Sequence, residues 1–386
     1  MRKVFYLVLS LVIASCTSNN ELQEKLAFID VTEEYPEKKI ELTDIAGVSY
    51  LHLNSKTDDY LYKGSIDYVT ENNIIVIDRS QNSVLFFSKE GNPKSHFNRR
   101  GQGPEEYSDA ASLMYDEAND EVFVSPDFSN HIMVYSSLGE FKRKINLPQV
   151  NVNGQMALFD DVSILVYDNT KLWQSTMQSN APEQTIDSVF FLISKLDGTV
   201  LDYISLPNEN IDLSYKNSVF TSQVNYGRVR KSADGLLLYN PESDTVFHYS
   251  KEKHLTPYMH KKPILSSQNP MTVMDICMDA GKYQFIAVYP YRETGKSPTP
   301  KYYMRNKATG ELFRQKITLS DFEGKELYIN PRLFNYYEHA YHFELDFAEL
   351  EEAYYKNKLS GKLKELVASL LENEESNNVF VFADFN

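Results

Sequence analysis

The stretch Arg99-Arg100-Gly101-Gln102-Gly103-Pro104-Glu105-Glu106-Tyr107 combines two guanidinium groups with a tight, stiffened backbone. A guanidinium offers parallel N–H donors that fit a carboxylate or sulfate. Gly101 and Gly103 permit conformations closed to other residues, and Pro104 fixes its own φ. Arg99, Arg100, Gln102 and Tyr107 are therefore the candidate ligand-binding residues. The competing account is a structural corner between two folded units, its arginines paired with the chain's many acids. Gly-Pro clusters mark turns more often than sites.

Other chemistry-bearing stretches read as ordinary structure. Thr294-Gly295-Lys296-Ser297 has the ending of a phosphate loop, but Pro290 occupies the position of its first glycine. Pro298 and Pro300 follow where a phosphate-holding helix should begin. In Glu338-His339-Ala340-Tyr341-His342-Phe343-Glu344, a strand would point His339 and His342 to opposite faces. His254 and His260 lack cysteine or acidic neighbours at ligand spacing. Asp78, Asp127, Asp168 and Asn240 recur after apolar runs and could ring a Ca²⁺ ion. The simpler account is turn chemistry, since Asp and Asn side chains bond to nearby backbone. No metal site and no cofactor is assigned; a cation such as calcium is what such a ring of acids could bind. Neither a G-x-S-x-G elbow nor an H-E-x-x-H helix occurs. With 54 acidic residues there are many carboxylate pairs, but the ~5–9.5 Å separation glycoside hydrolysis needs is set by the fold.

The chain opens with Arg2 and Lys3, an apolar run from Val4 to Ile13, and Ile13-Ala14-Ser15-Cys16. The run is too short to span ~30 Å of hydrocarbon as a helix. A charged start, a short apolar core and small residues before a cysteine read as a lipoprotein signal. Residues 1–15 are then the signal peptide, Cys16 the lipid attachment site, and 16–40 a lipidated tether. Losing Arg2 and Lys3 moves the formal charge from −15 to −17. Such an acidic chain is a poor fit to the phosphate backbone of nucleic acid. With Cys16 lipidated, only Cys277 remains and no internal disulfide can form. The fold must rest on packing.

Those candidates are carried by short strands in pairs. Ile74–Ile77 precedes Val84–Phe87; Glu121–Val124 precedes Ile132–Tyr135; Ile164–Tyr167 precedes Val189–Ile193. Leu236–Tyr239 precedes Thr245–Tyr249; Phe285–Tyr289 precedes Tyr302–Met304; Leu333–Tyr337 precedes Tyr341–Leu345. Glycine turns follow at Gly91, Gly139, Gly198 and Gly310. Second-strand centres fall near Phe86, Val134, Phe191, Phe247, Tyr303 and Phe343, at steps of 48, 57, 56, 56 and 40 residues. Repeats near ~40–50 residues are propeller blades. Six anchors predict an all-β, six-bladed β-propeller over residues 41–386. Apolar residues at helical spacing predict a helical insert at about 347–371, split at Gly361. The strand Val379–Phe382 should then join an N-terminal strand near Val48–Leu53 and close the ring.

Three segments carry a family resemblance. Arg100–Tyr107 resembles a G-x-G-P-x-E-Y segment, Ser243–Phe247 an SDTIY hairpin, and Asn378–Phe382 an NPVLVF closing strand. All belong to the six-bladed β-propeller lipoproteins of Bacteroidota. This chain departs at Asn378, where proline is usual, and in its longer helical insert. The resemblance implies an outer-membrane lipoprotein, facing the periplasm or the surface, near glycan or peptide uptake. It supplies no catalytic residue. The expected function is a non-enzymatic binding or scaffold module for a glycan, peptide or envelope protein, attached to the membrane by its lipid. The alternative is a propeller enzyme acting on glycans or lactones, with or without a bound cation.

Overall fold

The computed structural model describes residues 26–54, 60–126, 129–147, 156–168, 190–206, 229–240, 243–264, 267, 272–290, 299–330, 340–373 and 377–385. Three strands lead: β1 (Ala27–Asp30), β2 (Glu37–Glu41) and β3 (Gly47–His52). Blade I is β4 (Ile66–Val69), β5 (Ile74–Asp78), β6 (Ser83–Phe87) and β7 (Pro93–Phe97). Blade II is β8 (Ser112–Asp116), β9 (Glu121–Ser125), β10 (His131–Tyr135) and β11 (Phe141–Asn146). Blade III is β12 (Met156–Leu158), β13 (Ser163–Tyr167), β14 (Phe190–Ser194) and β15 (Val200–Ile204). Blade IV is β16 (Val229–Ser232), β17 (Gly235–Tyr239), β18 (Thr245–Ser250) and β19 (Leu255–Lys262). Blade V is β20 (Thr272–Ala280), β21 (Tyr283–Pro290), β22 (Lys301–Asn306) and β23 (Leu312–Thr318), with β24 (Glu326–Leu327) beside β23. Blade VI pairs β25 (Ala340–Leu345) with β26 (Val379–Asp384), and β26 with β3.

The middle strands of each blade are buried on both faces, which is why they read as unbroken apolar runs. Ile74–Asp78 is buried at every position, as is Ser163–Tyr167. Neighbouring blades share their apolar faces: Phe86 meets Tyr115 at 5.2 Å, edge to face. First strands stand beside first strands, β4 by β8, β8 by β12 and β16 by β20, so they form the inner wall of the ring. The glycine turns are needed twice over. Gly139 and Gly198 both sit at φ 80°, and a Cβ there would lie 2.4 Å from Phe97 Cβ and 2.5 Å from the Asn146 carbonyl oxygen of the preceding blade. Side chains are excluded by conformation and by space.

The ring closes as expected, with Val381 opposite Tyr50 and Val379 opposite His52. Closure extends further back than expected. Residues 27–30 and 37–40 are not tether: β1 adds to β19 and β2 to β23, both parallel, as fifth strands of blades IV and V. The N-terminal segment therefore straps three successive blades before the first repeat begins. The insert is two helices, α1 (Phe347–Tyr355) and α2 (Gly361–Glu372), between β25 and β26. Asp346 caps α1 by accepting from the Glu349 N–H at 3.0 Å. Gly361, the first residue of α2, takes φ 53°. Leu350, Leu363 and Val367 bury with blades V and VI. One anchor shifts as a result. Phe343 lies on the strand before the helices, and the third-strand role falls to Phe380 and Val381. The expected strand Leu333–Tyr337 lies outside the described residues.

His342 of β25 is 2% exposed, between the rings of Phe380 and Phe382. Burial pushes its pKa down to about 4. The unfolded chain therefore binds the proton first as pH falls from about 6.5, and stability drops until about pH 4. A shift of that size corresponds to about 3 kcal/mol. Urea unfolding at pH 7 and pH 4 is expected to show this loss, and His342→Leu to remove it.

Candidate functional site

Alternating strands place two kinds of connection at one end of the inner ring: the blade-to-blade crossings and the links from second to third strands. Among the described residues, the crossing 98–111 and the helices α1 and α2 belong to that end. First-to-second turns at the other end are short: 70–73, 117–120, 159–162, 233–234 and 281–282. Binding residues on a rigid scaffold concentrate in such long connections.

The crossing 98–111 carries the sequence candidates. Tyr107 is fully buried and acts as its pillar. Its N–H donates to the Arg99 carbonyl (3.0 Å), and its carbonyl accepts from the Gly101 N–H (2.9 Å). Its hydroxyl donates to the Asn82 carbonyl (2.7 Å) and accepts from the Arg99 N–H (3.1 Å). Its ring meets Tyr135 edge-on at 5.8 Å, and the Tyr135 hydroxyl donates to the Glu105 carbonyl (3.0 Å). Burial pushes the Tyr107 hydroxyl pKa up to about 12. The Glu106 carboxylate folds under the loop and accepts the Gly103 N–H at 2.7 Å. A Cβ on Gly101 would lie 1.8 Å from that carboxylate.

This geometry divides the four candidates. Tyr107 cannot touch a ligand, because it has no exposed surface; it holds the loop. Arg99 donates through Nε to the Gly139 carbonyl (2.7 Å), bracing the next blade's turn. Arg100 and Gln102 are exposed at the loop's crest. The corner reading thus applies to Arg99 and Tyr107.

Beside this loop is a pair that the sequence did not disclose. Asp67 is an extra residue in β4, bulged between Ile66, opposite Val76, and Tyr68, opposite Ile75. A bulge re-aims its side chain. The Asp67 carboxylate accepts the Ile77 N–H (2.7 Å) and pairs with Arg79 (2.5 Å). Arg79 also donates to the Ala111 carbonyl (3.1 Å), at the end of the 98–111 loop. Burial raises the Asp67 pKa to about 6, despite the opposing pull of Arg79. A bulge-aimed carboxyl shifted upward by burial, beside a half-exposed guanidinium, is a candidate functional group.

The remaining candidates fall to structural roles or outside the described residues. Asp78 accepts from the Ser80 N–H and hydroxyl (2.9 and 2.6 Å), which is turn chemistry. Asp168 and Asn240 are buried. Asp127, Thr294–Ser297, Glu338 and His339 lie outside the described residues. Among the described residues, no three His, Cys, Asp or Glu side chains are grouped to hold a metal. Cys277 is buried, and burial holds its thiol pKa well above the usual range. Nearby on the inner strands, Arg230 reaches Asp275 (3.5 Å) and donates to the Ile276 carbonyl (3.1 Å). Tyr289 and Tyr303 pack in the core. A separate cleft of about 340 Å³ on the outer rim is lined by Glu33, Glu34, Tyr35, Lys301, Tyr303 and Arg314.

A family profile described as a domain of unknown function, DUF4934, matches residues 26–384, from the first strap strand to the last closing strand. The chain belongs to the DUF4934 family. No curated protein matches it by sequence. Among solved structures, a putative exported protein of Bacteroides fragilis is similar at TM-score 0.65 and 16% identity, over 93% of this chain and 99% of its own. A DUF4221-family protein of Bacteroides vulgatus gives 0.47 and 14%, over 89% and 97%. Virginiamycin B lyase of Staphylococcus aureus gives 0.38 and 14%, over 69% and 72%. The first of these likenesses supports the ring fold of this DUF4934 protein, and no activity is drawn from any of them.

Proposed function

We propose that this DUF4934 protein is an exported, lipid-anchored binding module whose ring presents the 98–111 loop to an acidic glycan or peptide. The observation that carries this reading is the exposed Arg100–Gln102 crest, held rigid on the buried Tyr107 pillar. A crest fixed in place loses little freedom on binding. Guanidinium and amide together match a carboxylate or sulfate with neighbouring hydroxyls. The test is a binding screen of the mature chain against sulfated, uronic-acid and neutral oligosaccharides and acidic peptides. The reading expects anionic ligands only, with affinity falling as salt rises. Preference for neutral sugars would overturn it. A second reading, an enzyme, rests on Asp67: turnover of the bound oligosaccharide that stops in Asp67→Asn would move the assignment there.

The anchor is Cys16. Cys16→Ala is expected to move the protein from the membrane pellet to the soluble fraction almost completely, because removing the acyl chains removes ~0.8 kcal/mol for each buried CH₂. Fractionation of cells expressing the two forms reads this directly. A variant still in the pellet would contradict the anchor.

A further inference from the structure

The first described residues carry an apolar strip on the outside of the ring. Leu26 and Phe28 are 43% and 51% exposed, while Ile29 between the strands is fully buried. Alternation along β1 makes this a face: Ala27 and Ile29 turn inward, Leu26 and Phe28 outward. Lys262, opposite Asp30 on β19, places its Nζ 4.6 Å from the Phe28 ring centroid. Ile264, just beyond β19, is 43% exposed. An ammonium group beside outward aromatic and aliphatic side chains is the composition of a surface that rests in a lipid headgroup layer.

The position of this strip decides its occupant. It lies where the chain leaves the ring toward Cys16. The link from Cys16 to Leu26 is ten residues, so its full reach is at most ~35 Å. A lipid on Cys16 therefore confines the ring near the bilayer, at a high effective concentration for any weak contact. The side confined nearest is the outer edge of blades IV and V, because β1 and β2 are strapped there. We infer that Leu26, Phe28, Lys262 and Ile264 form a membrane-contacting rim that seats the propeller edge-on against the bilayer. This rests on the lipid-anchor reading. The ring axis then runs parallel to the membrane, and the face bearing the 98–111 loop opens sideways, toward partners in the same membrane.

The test uses the lipidated mature chain in phosphatidylcholine vesicles carrying a lipid-borne fluorescence quencher. Single-cysteine labels are placed by Ile264→Cys and, on blade II, by Leu138→Cys; Leu138 is 67% exposed and Cys277 is buried from label. Quenching at 264 is expected to exceed that at 138 by about threefold or more, as partial insertion of one edge requires. Adding Phe28→Asp should bring 264 down to the level of 138. Equal quenching at both positions, with acyl chains verified by mass, would overturn the edge-on seating and leave the anchor intact. A mature mass without acyl chains would remove the anchor and the seating together.

Discussion

Removing residues 26–42 is expected to destabilise the ring by about 5–9 kcal/mol, from the loss of Ile29, Ile40 and Leu42 at ~1.5–3 kcal/mol each. Domains of ordinary stability hold only ~5–15 kcal/mol in total. The deletion also uncovers the outer edges of β19 and β23, which β1 and β2 cover in parallel register. Open edges pair with other chains. The shortened chain should therefore unfold at much lower urea and associate on size-exclusion chromatography. Ile29→Ala offers a milder form of the test, with an expected cost of about 2–5 kcal/mol. A monomeric shortened chain with an unchanged urea midpoint would show that the strap is decoration.

Tyr107→Ala is expected to cost about 3–5 kcal/mol, the range for emptying a fully buried aromatic site. Tyr107→Phe keeps the ring and removes only the hydroxyl. It orphans the Arg99 N–H and the Asn82 carbonyl, each otherwise satisfied, and should cost about 1–3 kcal/mol. The two variants separate packing from hydrogen bonding in one residue. Both should loosen the crest above them. Binding of an acidic ligand should weaken in Tyr107→Phe although that side chain has no exposed surface. Urea unfolding reads the first effect and calorimetric titration the second.

How much of this was legible in the sequence depended on how each element is held. The second and third strands of the blades are buried on both faces, so Ile74–Asp78 and Val84–Phe87 announce themselves as apolar runs. In the closing pair, Val379–Phe382 was legible for the same reason, while β3 opens with alternating exposed and half-buried residues. The strap was not. Glu37, Lys38 and Lys39 are exposed, and only Ile40 of β2 turns inward. Such an edge strand is held chiefly by its main chain, which leaves little trace in side-chain pattern. The sixth anchor was misplaced because helices separate β25 from β26, so the short final step did not measure a blade. At the candidate site, the loop was visible through its glycines and proline. The division of labour within it was not, since burial of Tyr107 depends on Tyr135 and Asn82. Asp67 was invisible because a bulge is a property of pairing between strands.

The account centres on the 98–111 crest as the binding surface. The most direct measurement is calorimetric titration of the mature chain with a sulfated or uronic-acid oligosaccharide, comparing wild type with Arg100→Ala/Gln102→Ala. Loss of charge-assisted hydrogen bonds worth about 1.5–3 kcal/mol predicts a Kd weaker by about 10- to 100-fold. Lys142→Ala, whose Nζ donates to the Asn119 and Asp120 carbonyls in the turn at the other end, should leave the Kd unchanged. An unaltered Kd in the double variant, with the urea midpoint of wild type, would contradict the account.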